Sequence, residues 1–262
     1  MRTKMKLYHK MTLRAFVEAW EAVQGCEGSF RLKTVELMHA VPVAEIDYSL
    51  WLLRKSIQIY EETHEIPEER SKRGMPFFRE GTRMLIGPEQ GAFIASFREE
   101  PYPDESAEPS VMLELDYKAL AEHCLFENLS LLSCKYDKDA FITFLLPQLE
   151  REYDKVFFDA EHTGFKSDSR FFSLLRLVCL EGCEPQKAAE KEWRLVTSCP
   201  NEEALYRYEA GDLIPYMFVE LPVSCVRRIS LLDQSRQPLL FGTLNGFLKS
   251  KGLPAAQLLG LE

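Results

Sequence analysis

Apolar positions recur along the chain in two periods, and the period decides the element. Leu7-Tyr8-His9 reads as a short first strand. Thr12 follows as an N-cap candidate. Leu13, Phe16, Val17, Trp20 and Val23 then fall at helical spacing as one apolar stripe, which Gly25 and Gly28 end. Residues 30–35 alternate as a second strand would. A helix is expected over residues 48–60, with Leu50, Leu53 and Ile57 inward. Residues 61–80 are rich in charge, hold Pro67, Pro76 and the basic cluster Arg70-Ser71-Lys72-Arg73, and read as an exposed loop. Residues 93–97 and 111–115 are apolar runs of strand length, separated by a loop with Pro101, Pro103 and Pro109. Asp116 is placed to cap a short helix. Residues 131–136 predict another strand. Asp137 opens a helix with Phe141, Phe144, Leu145 and Leu149 on one face, which Pro147 is expected to kink or break. A buried helix over 171–180, strands over 213–222 and 226–232, and a last helix over 238–251 complete the pattern. Strands interrupted by helices, with no strict βαβ rhythm, no internal repeat and no dividing linker, predict a single α+β domain over 1–262. Its core is a mixed or antiparallel sheet with flanking helices.

Composition narrows the partners. A chain of 262 residues with 46% hydrophobic and 28% charged residues has the makeup of a soluble globular protein with a substantial core. Its net charge of -9 argues against broad binding to nucleic acid or anionic membrane. The basic start is not followed by a long apolar region, and no window nears the run of about 18 apolar residues that spans a bilayer. A cytoplasmic protein is the expectation. The seven cysteines are odd in number, scattered and without a Cys-x-x-Cys pair, as suits reduced thiols. Cys179 and Cys183 lack a second ligand pair in sequence, so no metal is expected. Walker, Gly-x-Gly-x-x-Gly, His-Glu-x-x-His and Gly-x-Ser-x-Gly patterns are absent. This removes the usual signals of ATP hydrolysis, Rossmann cofactor binding, zinc proteolysis and serine hydrolysis. Glu150, Glu152 and Asp154 read as a solvated helix end rather than a nuclease cluster.

The stretch with most chemistry is Ala188-Ala189-Glu190-Lys191-Glu192-Trp193-Arg194-Leu195-Val196. On a strand, Glu190, Glu192 and Arg194 would share one face, with Lys191 and Trp193 on the other. Paired acids beside a cation are costly to assemble unless solvated, hydrogen-bonded or used. The plainer alternative is a charged, solvent-facing sheet edge with Trp193 in the core. By position, His9 reads first as a strand-end histidine satisfied by backbone, and Ser96 as a small core residue.

Leu7-Tyr8-His9-Lys10-Met11-Thr12, Ser96-Phe97, Glu190-Lys191-Glu192-Trp193-Arg194-Leu195, Leu221-Pro222 and Val226-x-x-Ile229 occur in one order over residues 6–250. Together they resemble a bacterial family of domains of unknown function. Two features of that family are missing. In place of its Asn-Asp-Pro-Phe-Glu stands only Ala40-Val41-Pro42-Val43-Ala44-Glu45, without the Asn and Asp, and the interval after Ser96-Phe97 holds Tyr102 but no Trp. The opening strand, histidine, threonine and helix also resemble ADP-ribosyltransferase-type domains. That resemblance implies an NAD-using enzyme in a defence or toxin setting, acting on a protein or nucleotide. His9, Ser96 and Arg194 would bind NAD, Glu192 would stabilise the oxocarbenium-like state, and Glu190 would orient the acceptor. The missing residues imply the alternative, a non-catalytic protein-interaction domain with a degenerate site. In it, Glu190 and Glu192 are satisfied by structural ion pairs with arginines such as Arg194 or Arg176.

Overall fold

The computed structural model of the chain describes residues 5–21, 28–71, 90–103, 108–163, 177–209, 211–232, 238–253 and 257–258. Its sheet is organised on the apolar strand β3 (Gln90–Arg98). Along one edge of β3, β6 (Glu192–Pro200) runs antiparallel from Gln90↔Pro200 to Arg98↔Glu192. β5 (Ser130–Ser133) covers the far edge of β6. The other edge of β3 is shared. β1 (Lys6–Thr12) pairs with it at Tyr8↔Arg98, and β2 (Ser29–Glu36) at Val35↔Ile94 and Glu36↔Phe93. Beyond β1 the sheet continues through β4 (Ser110–Asp116), β9 (Val226–Leu232) and the short parallel β10 (Gln257–Leu258). Beyond β2 it continues through β8 (Asp212–Pro222) and β7 (Leu205–Glu209). The 10-stranded sheet therefore forks at β3. This is the expected α+β architecture, a largely antiparallel sheet flanked by helices.

Alternation on the central strands gives each face its own core. Ala92, Ile94, Val196 and Leu132 meet α3 (Val43–Thr63), α5 (Lys138–Thr163) and helical residues 177–181. Ala95, Phe97 and Leu195 meet the opposite layer. That layer is built from Phe16 and Trp20 of α1 (Leu13–Glu21), Leu120 of α4 (Tyr117–Phe126) and Leu248 of α6 (Pro238–Ser250). The one-turn α2 (Leu37–Ala40) sits between β2 and α3. Phe16, Phe30, Phe93 and Phe97 are fully buried, and burial of such a side chain contributes about 1.5–3 kcal/mol. The caps lie where the sequence put them. Thr12 Oγ1 accepts from Ala15 N–H at 3.2 Å, Asp116 Oδ1 from Ala119 N–H at 3.1 Å, and Asp137 Oδ1 from Ala140 N–H at 2.8 Å.

Three expectations change. Pro147 lies inside α5 without ending it. A proline inside a helix costs about 3 kcal/mol, and the burial of Phe141, Leu145 and Leu149 on either side of it outweighs that. α3 runs on to Thr63, so residues 61–63 are helix rather than loop. Glu61 is buried there and accepts from Tyr153 Oη at 2.6 Å and from Ser71 Oγ at 2.7 Å. Residues 72–80 of that stretch, including Lys72 and Arg73, lie outside the described residues. The strand expected over 131–136 stops at Ser133, and Lys135 instead forms an isolated parallel bridge to Gly182. β7, β10 and the 3-10 turns had no clear periodic signal. Of the helix expected over 171–180, residues 171–176 lie outside the described residues.

Gly182 closes the turn that follows helical residues 177–181. A Cβ there would stand 2.9 Å from the Val178 carbonyl oxygen and 3.1 Å from Ser49 Oγ, which itself donates to the Gly182 carbonyl at 2.8 Å. Gly182→Ala is expected to destabilise the protein by about 1–3 kcal/mol through overpacking. The measurement is the urea midpoint at unchanged slope. An unshifted midpoint would mean that the turn relaxes freely.

Candidate functional site

The conspicuous group in the interior is a cation. Arg194, on β6, is 1% exposed. A guanidinium has five N–H donors, and burial is tolerable only if they find acceptors. All five do. Nε donates to Glu192 Oε1 at 3.1 Å, and Nη2 donates to Glu192 Oε2 at 3.2 Å and to Glu45 Oε1. Nη1 donates to the carbonyls of Cys179 at 3.1 Å and Leu180 at 3.2 Å. Those two carbonyls belong to the last turn of helical residues 177–181, where the helix itself supplies no donors. Gly182 N–H satisfies Val178 at 2.8 Å and Lys135 N–H satisfies Glu181 at 2.7 Å, so the whole terminus is closed.

Glu45 comes from the first turn of α3 and is 1% exposed. Its second oxygen accepts from Lys187 Nζ. Burial pushes the Glu45 carboxyl up, and Lys187 and Arg194 outweigh this and hold it below its ordinary 4.5. For Arg194, burial opposes the charge. Cys134 and Cys183 where ionised, and the carboxylate of Glu192, more than restore it, so its pKa is raised.

Glu192 opens β6, with its side chain 11% exposed. Ser96 Oγ, on the neighbouring β3, donates to Glu192 Oε1 at 2.5 Å. Arg194 engages both carboxylate oxygens. Of the roughly four lone-pair sites of a carboxylate, these three bonds leave one on Oε2. The Glu192 N–H donates to Tyr136 Oη at 2.8 Å, and burial raises the pKa of that phenol. Cys134 and Cys183 stand beside the carboxylate. The two thiols and a Glu192 oxygen lie within 4.8 Å of one another. The hydrogen bond to Cys134, together with burial, pushes the Cys183 thiol up.

Glu190 does not share the strand face of Glu192. It ends a 3-10 turn (Pro185–Glu190), and Lys191 follows with a left-handed φ of 44°. That residue rotates the chain before β6 begins, so the alternation expected from Glu190 to Arg194 starts only at Glu192. Glu190 pairs with Arg98 at 3.0 Å, and the Arg98 guanidinium lies over the Tyr102 ring at 4.6 Å. Lys191 pairs with Glu100 at 2.9 Å, and Trp193 Nε1–H donates to Glu99 at 2.9 Å.

His9 is joined to this site through backbone. Its Nδ1 lies 2.7 Å from the Ser96 carbonyl oxygen. A carbonyl only accepts, so Nδ1 carries the proton. The bond sits at the fork, where β3 residues 95–97 have no ladder partner on the β1–β2 side. The ring packs 5.2 Å from Phe97, a residue of the opposite core. Burial holds its imidazole below the ordinary value, against the opposing effect of the Ser96 bond. The fold therefore brings Ser96, Glu192 and Arg194 into direct contact. It attaches His9 by way of Ser96 and sets Glu190 beside them on another pair. Sequence reading missed Glu45, Tyr136, Cys134 and Cys183. Glu45 lies in α3, Cys134 and Tyr136 on the segment after β5, and Cys183 after helical residues 177–181, and no sequence pattern joins the three places.

Arg194→Met would take the shared cation from two buried carboxylates, leaving Glu192 with Ser96 and Glu45 with Lys187. It is expected to cost about 3–5 kcal/mol in chemical unfolding, and Arg194→Lys, with fewer donors and no fork, to recover only part of that. A second expectation concerns acid. Because the folded-state pKa of Glu45 is depressed, its contribution to stability is complete above the ordinary carboxylate value and is lost as pH falls through the folded value. Stability measured as pH drops below 4.5 should fall more steeply for the wild type than for Glu45→Gln, and parallel acid limbs would contradict this.

The chain matches no protein-family model, no curated protein and no solved structure.

Proposed function

We propose that this chain is a non-catalytic protein-interaction domain in which the Glu-Lys-Glu-Trp-Arg segment holds the fold together. The observation that carries the reading is the commitment of the charges. Every Arg194 donor is used, Glu192 is held on both oxygens, and Glu190 is paired with Arg98. A carboxylate that stabilises a developing cation must face the reacting centre with its charge available. Here most of that charge is already neutralised by a buried guanidinium. A surface suited to a partner lies at the far end of the sheet, on the β7–β8 hairpin. Leu205, Tyr206, Tyr208 and Leu213 are each about half exposed or more on this terminal pair of strands. Apolar side chains on a sheet edge favour docking of another chain.

A second reading, an NAD-using ADP-ribosyltransferase-like enzyme, is favoured by a different observation. His9, Ser96 and Glu192 are linked across β1, β3 and β6 by two hydrogen bonds, and Glu192 Oε2 keeps one lone pair for a ligand hydroxyl. In that reading Glu192 stabilises the transition state, Glu190 orients the acceptor, and His9, Ser96 and Arg194 hold NAD.

Calorimetric titration with NAD separates the two. The interaction-domain reading expects no binding heat at millimolar NAD, and a lowered melting temperature for both Glu192→Gln and His9→Ala. The His9 change removes the donor from the Ser96 carbonyl, at a cost of about 1–3 kcal/mol. Saturable NAD binding that both substitutions weaken, followed by release of nicotinamide, would replace this reading with the transferase.

A further inference from the structure

We infer that Cys134, Cys183 and Glu192 form a binding site for a thiophilic divalent cation of the zinc type. Their ligand atoms lie within 4.8 Å of one another. Tetrahedral bonds of ~2.3 Å to sulfur and ~2.0–2.2 Å to oxygen place ligand atoms roughly 3.5–3.8 Å apart, so a contraction of about 1 Å by side-chain rotation completes the set. Two thiolates and one carboxylate suit a borderline-soft ion rather than magnesium or calcium. Three protein ligands leave a fourth position for a water or another ligand, as in open zinc sites.

The scaffold is fixed before any ion arrives. Cys134 N–H donates to the Glu192 carbonyl at 2.9 Å, and Cys183 N–H donates to the Lys135 carbonyl at 3.1 Å. The Lys135–Gly182 bridge thus ties the residues next to both thiols into one short ladder. The segment around Cys134 is therefore held in register by backbone against both Cys183 and Glu192, about 50 residues further on. Ser96 and Arg194 hold the Glu192 carboxylate in place by three hydrogen bonds, as outer-shell partners hold a metal ligand, and leave one lone pair of Oε2 for a ligand.

Charge favours the same conclusion. Arg194 and Lys187 balance Glu45 and Glu192, so the ionic network is neutral without an ion. A divalent cation with two thiolates adds no net charge to it. A metal held by Glu192 alone would instead add two positive charges beside a buried guanidinium. The arrangement thus accepts a cation only if both cysteines bind as thiolates. This inference goes beyond the interaction-domain reading and holds whether or not the chain binds NAD.

The test uses the full chain, reduced, stripped with a chelator and titrated with Co²⁺ as a spectroscopic probe. The expected result is a thiolate-to-cobalt charge-transfer band that saturates at one equivalent. It should be lost in Cys134→Ser and in Cys183→Ser, and kept in Cys124→Ser, whose thiol is buried in the opposite core. Loss of an outer-shell partner weakens a metal site by 10–100-fold, so Glu192→Gln should weaken it by about 100-fold or more. A band that persists without both cysteines, or no band in the wild type, overturns the inference. So does a Cys134–Cys183 disulfide that re-forms in the presence of cobalt. Should the cysteine variants not fold, alkylation of the wild type decides. Zinc should protect Cys134 and Cys183 alone, and equal labelling with and without zinc rejects the site.

Discussion

The guanidinium of Arg194 is the interaction on which this half of the molecule depends. Taking a charge out of water costs several kcal/mol even after relaxation, and the cost is recovered only when the geometry of its partners is complete. Here the partners come from three places. One carboxylate is on its own strand, one is at the start of α3, and two carbonyls end the helical segment over β6. The same five bonds neutralise the cation, cap a helix and seat α3 on the sheet. A lysine has a single charged point and no planar fork, so it could not hold these directions at once. In the fold, Arg194 is a joint between β6, α3 and the end of helical residues 177–181.

Fold class was legible because periodicity is a local property. The strands around Phe93, Leu113 and Ile229 announce themselves by apolar runs, and the helices by stripes and caps such as Thr12, Asp116 and Asp137. The failures also have local causes. Pro147 carries a strong helix-breaking signal that packing from distant residues overrides. Lys191 carries no signal for a left-handed backbone, so the alternation expected from Glu190 reaches two residues beyond the start of the strand at Glu192. The site was half legible. Glu192, Arg194 and Ser96 do meet, since a charged strand and an apolar strand must pair in one register. Glu45 and the two thiols could not be foreseen, because only the tertiary crossing of α3 and the Lys135–Gly182 bridge brings them near.

His9 shows how a fork is stabilised. When two strands leave the same edge of a third at different points, the backbone between them loses its ladder partners. Buried carbonyls without donors are expensive, and a side chain must stand in for the missing strand. The imidazole does so for Ser96, whose hydroxyl turns the other way to Glu192. Ser96 is thus held from both edges of β3, its carbonyl from β1 and its hydroxyl from β6.

The pairing of β3 with β6 has a kinetic consequence. Ser96 and Glu192 are 96 residues apart, and the strand at the centre of the sheet meets its longest partner only after everything between them has been made. Loop closure on that scale slows folding, and an apolar strand with an open edge is most vulnerable while it waits. During synthesis at roughly 5–20 residues per second, that edge stays unprotected for on the order of ten seconds. The segment that arrives last to cover it begins with Glu192 and Arg194. Charged groups that need partners in the finished fold are also those that keep the incoming strand from pairing with another copy of itself.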